Sequence, residues 1–316
     1  MKNVNRSMSA FDWLLLIVLS ILWGGSFFFV GVAVKALPPF TLVLLRVGLA
    51  AIALNIILRV MGQKMPRDRQ IWRDFVFLGL INNVIPFSLI VWGQTHIAGG
   101  LASILNATTP IFTLVVAHFL TSDEKLSGGR MAGIAIGFTG VAVIIGIESL
   151  GNLGANILAQ LAVVGAALSY AFAGVFGRRF ARLGVAPMVA ATGQLTMSTI
   201  LLTPIALAVE KSWALAMPAL PVWVAVFALA LASTAIAYII YFRLLATAGA
   251  TNLLLVTFLI PVSAIFLGAL FLNEQLVLKD FSGMGLIGLG LVAIDGRLAA
   301  FFQRWICEKQ AVKQPF

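Results

Sequence analysis

Apolar residues run through the chain in long stretches, interrupted by short polar or Pro/Gly-containing connectors. A helix needs about 17–25 mostly apolar residues to cross the hydrocarbon of a bilayer. Ten stretches meet that length, roughly at 12–34, 40–61, 72–93, 98–120, 128–147, 156–178, 187–208, 219–242, 250–272 and 280–297. Connectors such as Leu37-Pro38-Pro39 and Ser122-Asp123-Glu124-Lys125 are too short to hold a soluble domain. The pattern predicts an all-α polytopic membrane protein with ten transmembrane helices.

Composition agrees with the pattern. The 316 residues are 61% hydrophobic and 10% charged, with a mean hydropathy of +1.06. A soluble domain of this length has too little interior to hide so much apolar surface. The net charge of +10 adds orientation. If the N-terminus is cytoplasmic, 17 of the 21 lysines and arginines fall on the inner side and only Lys35, Lys211 and Lys279 on the outer, with Arg46 inside a span. That bias predicts a protein of the inner (cytoplasmic) membrane with both termini in the cytoplasm. The basic residues are spread over connectors rather than gathered in one stripe, which argues against nucleic acid as a partner. Cys307 is the only cysteine, so an intramolecular disulfide and a multi-cysteine metal site are excluded, and no cofactor is expected. The first apolar run is too long for a signal-peptide core and is read as the first membrane helix.

A sparse pattern closes each half of the chain. Pro110, Glu124, Gly133 and Gly140 recur as Pro261, Glu274, Gly283 and Gly290, at intervals of 14, 9 and 7 and then 13, 9 and 7. The duplication divides the chain into a first five-helix repeat (12–147), a second (156–297) and a cytoplasmic tail (298–316). An odd number of spans per repeat turns the second upside down in the membrane, placing Glu124 at the inner face and Glu274 at the outer. In the tail, Leu298 to Glu308 mixes aromatic and charged residues, as an interfacial helix or a frayed end would.

With Trp23-Gly24 in the first span, and Pro39 and Arg46 in the second, these elements resemble the EamA-type family of the drug/metabolite transporter superfamily. The second copy departs from the pattern: Tyr170-Ala171 stands in place of Trp-Gly, and no arginine matches Arg46. The resemblance covers about 12–297. It implies movement of small metabolites, often export, through a central cavity between the inverted repeats, by alternating access.

Candidate site residues follow from polar groups in apolar surroundings. Proline lacks an N–H and frees the carbonyl four residues earlier. Pro110 frees that of Asn106 and Pro261 that of Thr257, pairing a free acceptor with a polar side chain near the bilayer centre; the alternative is a packing kink. Pro86 does the same for Asn82, which is expected to face the cavity while Asn83 joins helices, because neighbours on a helix diverge by about 100°. Trp23, Trp92, Tyr170 and Tyr238 are candidates for an aromatic wall, with an interfacial belt as the other reading for Trp92 and Tyr241. Arg46, about 9 Å from the outer end of its helix, either snorkels to that face, holds helix ends together, or attracts an anionic solute from outside. Glu124 and Glu274 either sit at the N-termini of the glycine-rich spans they precede or gate the repeats. The glycines of the fifth and tenth spans are expected to be close-packing points.

None of the 11 acids lies near the midplane, which disfavours a glutamate-based proton exchanger. The function expected is secondary transport, in the export direction, of small metabolites such as amino acids or related amphipathic compounds. The partners expected are that solute and the lipid bilayer, for a monomer or homodimer. The alternative is a membrane-embedded enzyme acting on lipid-linked substrates, but the sequence shows no HExxH, paired acids or phosphate-binding loop.

Overall fold

A computed structural model describes residues 8–121, 128–145, 155–253 and 255–295. The expectations for Glu124 and for the segment 298–308 fall outside these residues. Among the described residues there is no strand. The long helices are α1 (Ala10–Ala33), α2 (Pro39–Val60), α3 (Arg69–Gly93), α4 (Gly99–Leu120), α5 (Gly128–Ile145), α6 (Ala155–Arg182), α7 (Pro187–Glu210), α8 (Leu220–Thr247), α9 (Val256–Leu272) and α10 (Leu278–Asp295), and a single helical turn, Ala250–Leu253, precedes α9. Seven of them (α1–α4 and α6–α8) are long and apolar enough to cross a bilayer, and shorter apolar helices lie at Met131–Val143 and Leu259–Leu272.

Local chemistry sets the helix ends. Ser9 and Asp12 form a reciprocal capping box at the start of α1, and the Thr247 hydroxyl at the end of α8 donates to the same Asp12 carboxylate (2.8 Å). Pro39, Pro187 and Pro221 occupy first-turn positions, where the missing N–H costs nothing. The helix α6 runs four residues beyond the expected 178, so Arg178, Arg179 and Arg182 belong to its last turns rather than to a connector. Arg179 is held there by Asp74 of α3 at 2.6 Å.

The packing is that of a duplicated and inverted bundle. Helix α1 packs on α9, as α6 packs on α4; α1 packs on α8, as α6 packs on α3; α2 packs on α8, as α7 packs on α3. Exchanging the halves maps each contact onto its counterpart. The pairs α2–α7 and α5–α10 map onto themselves, and their directions reveal the inversion. A methyl group on Gly140 would lie 2.7 Å from the Gly283 carbonyl oxygen, and one on Gly290 would lie 2.6 Å from that of Gly133. The duplicated glycines therefore meet each other, with α5 and α10 antiparallel. Likewise Thr41, early in α2, bonds Glu210 at the end of α7, while Asn55, late in α2, bonds Thr196. Equivalent helices run in opposite directions, so the two repeats are inverted.

Gly24 has a separate role. A methyl there would lie 2.6 Å from Ser263 Cβ and 2.9 Å from the Ala264 nitrogen, so the glycine after Trp23 lets α1 touch the backbone of α9 beside Pro261.

Candidate functional site

The helix α3 is interrupted by a π-turn at Leu80–Val84, immediately before Pro86. Proline cannot donate back along the helix, and the loosened turn leaves carbonyls to be satisfied from elsewhere. Ser169 of α6 supplies one donor, to Ile81 O at 2.6 Å. The same turn aims both asparagines at α7. Asn82 donates to Gln194 Oε1 at 2.9 Å, and Asn83 donates to Ser198 Oγ at 3.0 Å. Gln194 and Ser198 are four residues apart and lie one above the other on a helix. The expected divergence of the asparagines is thus corrected. The π-turn and two acceptors a turn apart let both residues bond the same neighbour. They still differ in access: Asn83 is fully buried, whereas Asn82 is half-buried.

Arg46 lies between α2, α3 and α8. It is 7% exposed, so it does not snorkel. Its Nε donates to Thr234 Oγ1 at 3.0 Å, and its guanidinium carbon lies 3.7 Å from the centre of the Phe87 ring. Thr234 belongs to a second π-segment, Ala228–Ile236 in α8. Tyr238, one turn further on, donates to Asn83 Oδ1 at 3.4 Å, linking the arginine and asparagine clusters. Every bond in this group, from Arg46 to Thr234 and from the asparagines to Gln194, Ser198 and Tyr238, crosses between the repeats.

The aromatic residues divide. Trp23 packs on Tyr241 at 5.6 Å, and Phe87 on Tyr170 at 6.4 Å, which are the symmetry-related contacts α1–α8 and α6–α3. Trp92 stands apart. It is 36% exposed at the end of α3 and packs on His96 at 5.0 Å, a position that fits the interfacial belt rather than the aromatic wall.

The proline breaks are not equivalent. In α4 the helix opens at Ala107–Thr108, just before Pro110. There the Asn106 carbonyl, expected to turn to protein or to a wet cavity, accepts from the Thr109 hydroxyl of its own helix at 2.7 Å, and Thr108 serves Leu105 in the same way at 2.6 Å. In the second repeat, α9 continues through Pro261. The residues before this proline are Phe258, Leu259 and Ile260, which offer no hydroxyl to stand in for the backbone. The matched sequence therefore breaks at different distances from its proline: the second-repeat span is interrupted between Leu253 and Val256 and then runs unbroken through Pro261. The buried Asn106 Oδ1 keeps no partner among the described residues.

Glu274 has a different partner from the one expected. Its carboxylate accepts from the backbone N–H groups of Gly99 (2.8 Å) and Gly100 (2.9 Å), capping α4 of the other repeat rather than its own α10. At the same end Glu210 accepts from Phe40 N (2.9 Å) and Thr41 N (2.7 Å), capping α2. Both caps are made by the second repeat on helix starts of the first. Beside Glu274 is a cavity of about 350 Å³ lined by Lys35, Gln94, Thr95 and Gly99 among others. Gln94, Gln194, Ser198, Thr234 and Glu210 were not anticipated. The polar Gln194 and Ser198, four apart in an apolar span, are visible in the sequence; the role of Phe87 has no sequence signal.

The EamA-like transporter family model matches residues 11–146 and again 157–294. The chain belongs to the EamA-like transporter family. Similar relatives of this EamA-like chain include YoaV, an uncharacterized transporter of Bacillus subtilis (strain 168), 26% identical over 87% of this chain and 94% of its own length. The uncharacterized inner membrane transporter YedA of Escherichia coli (strain K12) is 29% identical, over 88% and 89%. A probable amino-acid metabolite efflux pump of Escherichia coli (strain K12) is 26% identical, over 97% and 99%. A solved crystal structure superposes with a TM-score of 0.64 at 19% identity, covering 91% of this chain and 98% of its own, and shares the fold. The EamA-like chain is a multi-pass membrane protein and a transporter.

Proposed function

We propose that this protein is a secondary carrier that exports small amphipathic metabolites, amino acids or their relatives, by alternating access of its inverted repeats. The observation that supports it most is the polar group shared across the repeat boundary: Arg46 with Thr234, Asn82 with Gln194, and Asn83 with Ser198 and Tyr238. Polar groups in membrane spans are costly and mark solute paths. Hydrogen bonds between repeats are also the contacts that must exchange when one repeat rocks on the other. The similarity to a probable amino-acid metabolite efflux pump supports the solute class. On this reading the protein is a carrier rather than a catalyst, both termini are cytoplasmic, and the Glu274 end faces outward.

The test is counterflow. Proteoliposomes preloaded with an unlabelled neutral amino acid are expected to accumulate the labelled one transiently above equilibrium, while protein-free liposomes do not. Asn106→Leu, which removes the unpartnered buried oxygen, is expected to reduce initial uptake about tenfold, as for loss of a buried polar contact of ~1–2 kcal/mol. Absence of counterflow for every proteinogenic amino acid contradicts the assigned solute class.

A further inference from the structure

We propose that Arg46 is the docking point for a carboxylate on the transported solute, so that the carrier accepts compounds that bear a carboxylate and rejects amine analogues that lack one. This rests on the carrier reading above and narrows its solute.

A guanidinium carries five N–H donors and a charge that cannot be given up. Arg46 is 7% exposed inside a span, yet its only hydrogen bond among the described residues is from Nε to the Thr234 hydroxyl. Among those residues no carboxylate lies within ion-pairing distance of it. A structural arginine buried in a membrane ordinarily pairs with an acid or with backbone carbonyls. The terminal nitrogens of Arg46 do neither.

What surrounds the cation prepares it for a ligand. The Phe87 face lies 3.7 Å from its centre and holds the guanidinium plane. Thr234 fixes the Nε edge, leaving the terminal pair of nitrogens as a fork suited to two carboxylate oxygens. Tyr170 and Tyr238 lie within electrostatic reach, and the Tyr170 hydroxyl can donate to a bound anion. Tyr238 also bonds Asn83 within the cluster that crosses the repeats, so an anion here would touch the contacts that must exchange during transport. The second repeat has no matching arginine, so the geometry supplies one anion site per carrier.

The experiment compares phenylacetate, L-phenylalanine, acetate and phenethylamine as probes on the purified full-length protein, by thermal shift. The carboxylates are expected to stabilise the wild type and phenethylamine to leave it unchanged. In R46Q the carboxylate-dependent shift is expected to disappear, with apparent affinity weaker by roughly thirtyfold or more, as for removal of one partner of a buried charge pair. R46K keeps the charge without the fork and is expected to retain a reduced shift; it also serves if R46Q does not fold. The proposal is overturned if phenethylamine stabilises the wild type as well as phenylacetate does, if a folded R46Q keeps the full shift, or if no carboxylate stabilises the wild type. Flux in liposomes separates the two readings. Amino-acid counterflow that persists in R46Q removes the docking role and leaves the carrier; absence of counterflow in the wild type removes the proposed carrier function itself.

Discussion

Gly290→Leu and Gly140→Leu are each expected to prevent stable assembly of the α5–α10 pair. The position a side chain would take at Gly290 is 2.6 Å from the Gly133 carbonyl oxygen and 2.8 Å from the Gly137 nitrogen. At Gly140 the obstacles are the Gly283 carbonyl oxygen at 2.7 Å and the Ile287 nitrogen at 2.9 Å. Backbone atoms cannot rotate aside as a side-chain tip can, so the helices must separate along their whole seam. Overpacking of this kind costs about 1–3 kcal/mol even where neighbours adjust, and helix association in lipid depends on close packing. Gly288 supplies the control, because nothing lies within 4 Å of a methyl placed there. Gly288→Leu is expected to behave as wild type in fluorescence size-exclusion melting, while Gly290→Leu loses most of its monodisperse peak. Equal melting curves for the two would show that the antiparallel glycine contact does not hold the fold.

The second large effect is expected from Glu274→Ala. The carboxylate supplies both acceptors for the first N–H groups of α4, and hydrogen bonds to charged groups contribute about 1.5–3 kcal/mol each. Loss of the cap is expected to lower the apparent melting temperature and to speed amide exchange selectively over 97–103. Glu274→Gln keeps one acceptor without the charge and is expected to fall between. Unchanged exchange over 97–103 in Glu274→Ala would show that α4 does not depend on the cap. Because this cap lies at one end of the bundle, its loss is also expected to loosen that end before the other.

Much of the architecture was legible in the sequence because it rests on periodic physical demands. The length of hydrocarbon fixed the helices, and the recurrence of proline, glutamate and two glycines exposed the duplication. The glycine spacing was informative because the same four glycines form the contact between equivalent helices. What was hidden depends on which distant segments meet. Sequence neighbourhood assigns Glu274 to the helix that follows it, whereas its donors lie 175 and 174 residues away. A regular helix sends adjacent asparagines in diverging directions, and the π-turn changes that geometry. The proline pattern predicts matched breaks, but the hydroxyls of Thr108 and Thr109, which have no counterparts before Pro261, accompany an opening beside Pro110, whereas the second-repeat interruption lies between Leu253 and Val256, away from its proline. Arg46 could be read either way from sequence, because depth along a helix does not say which face a side chain occupies. Its burial against Phe87 and Thr234 needed the packing of three helices.

Opposite orientation of the repeats is the premise on which the proposed carrier mechanism depends. Single cysteines replacing Lys125 and Gln275, in a background where Cys307 is serine, can be probed with a membrane-impermeant maleimide on right-side-out and inverted vesicles. With inverted repeats, the cysteine at 275 is expected to react only from the outside and the one at 125 only from the cytoplasmic side. Reaction of both from the same side would contradict the inversion.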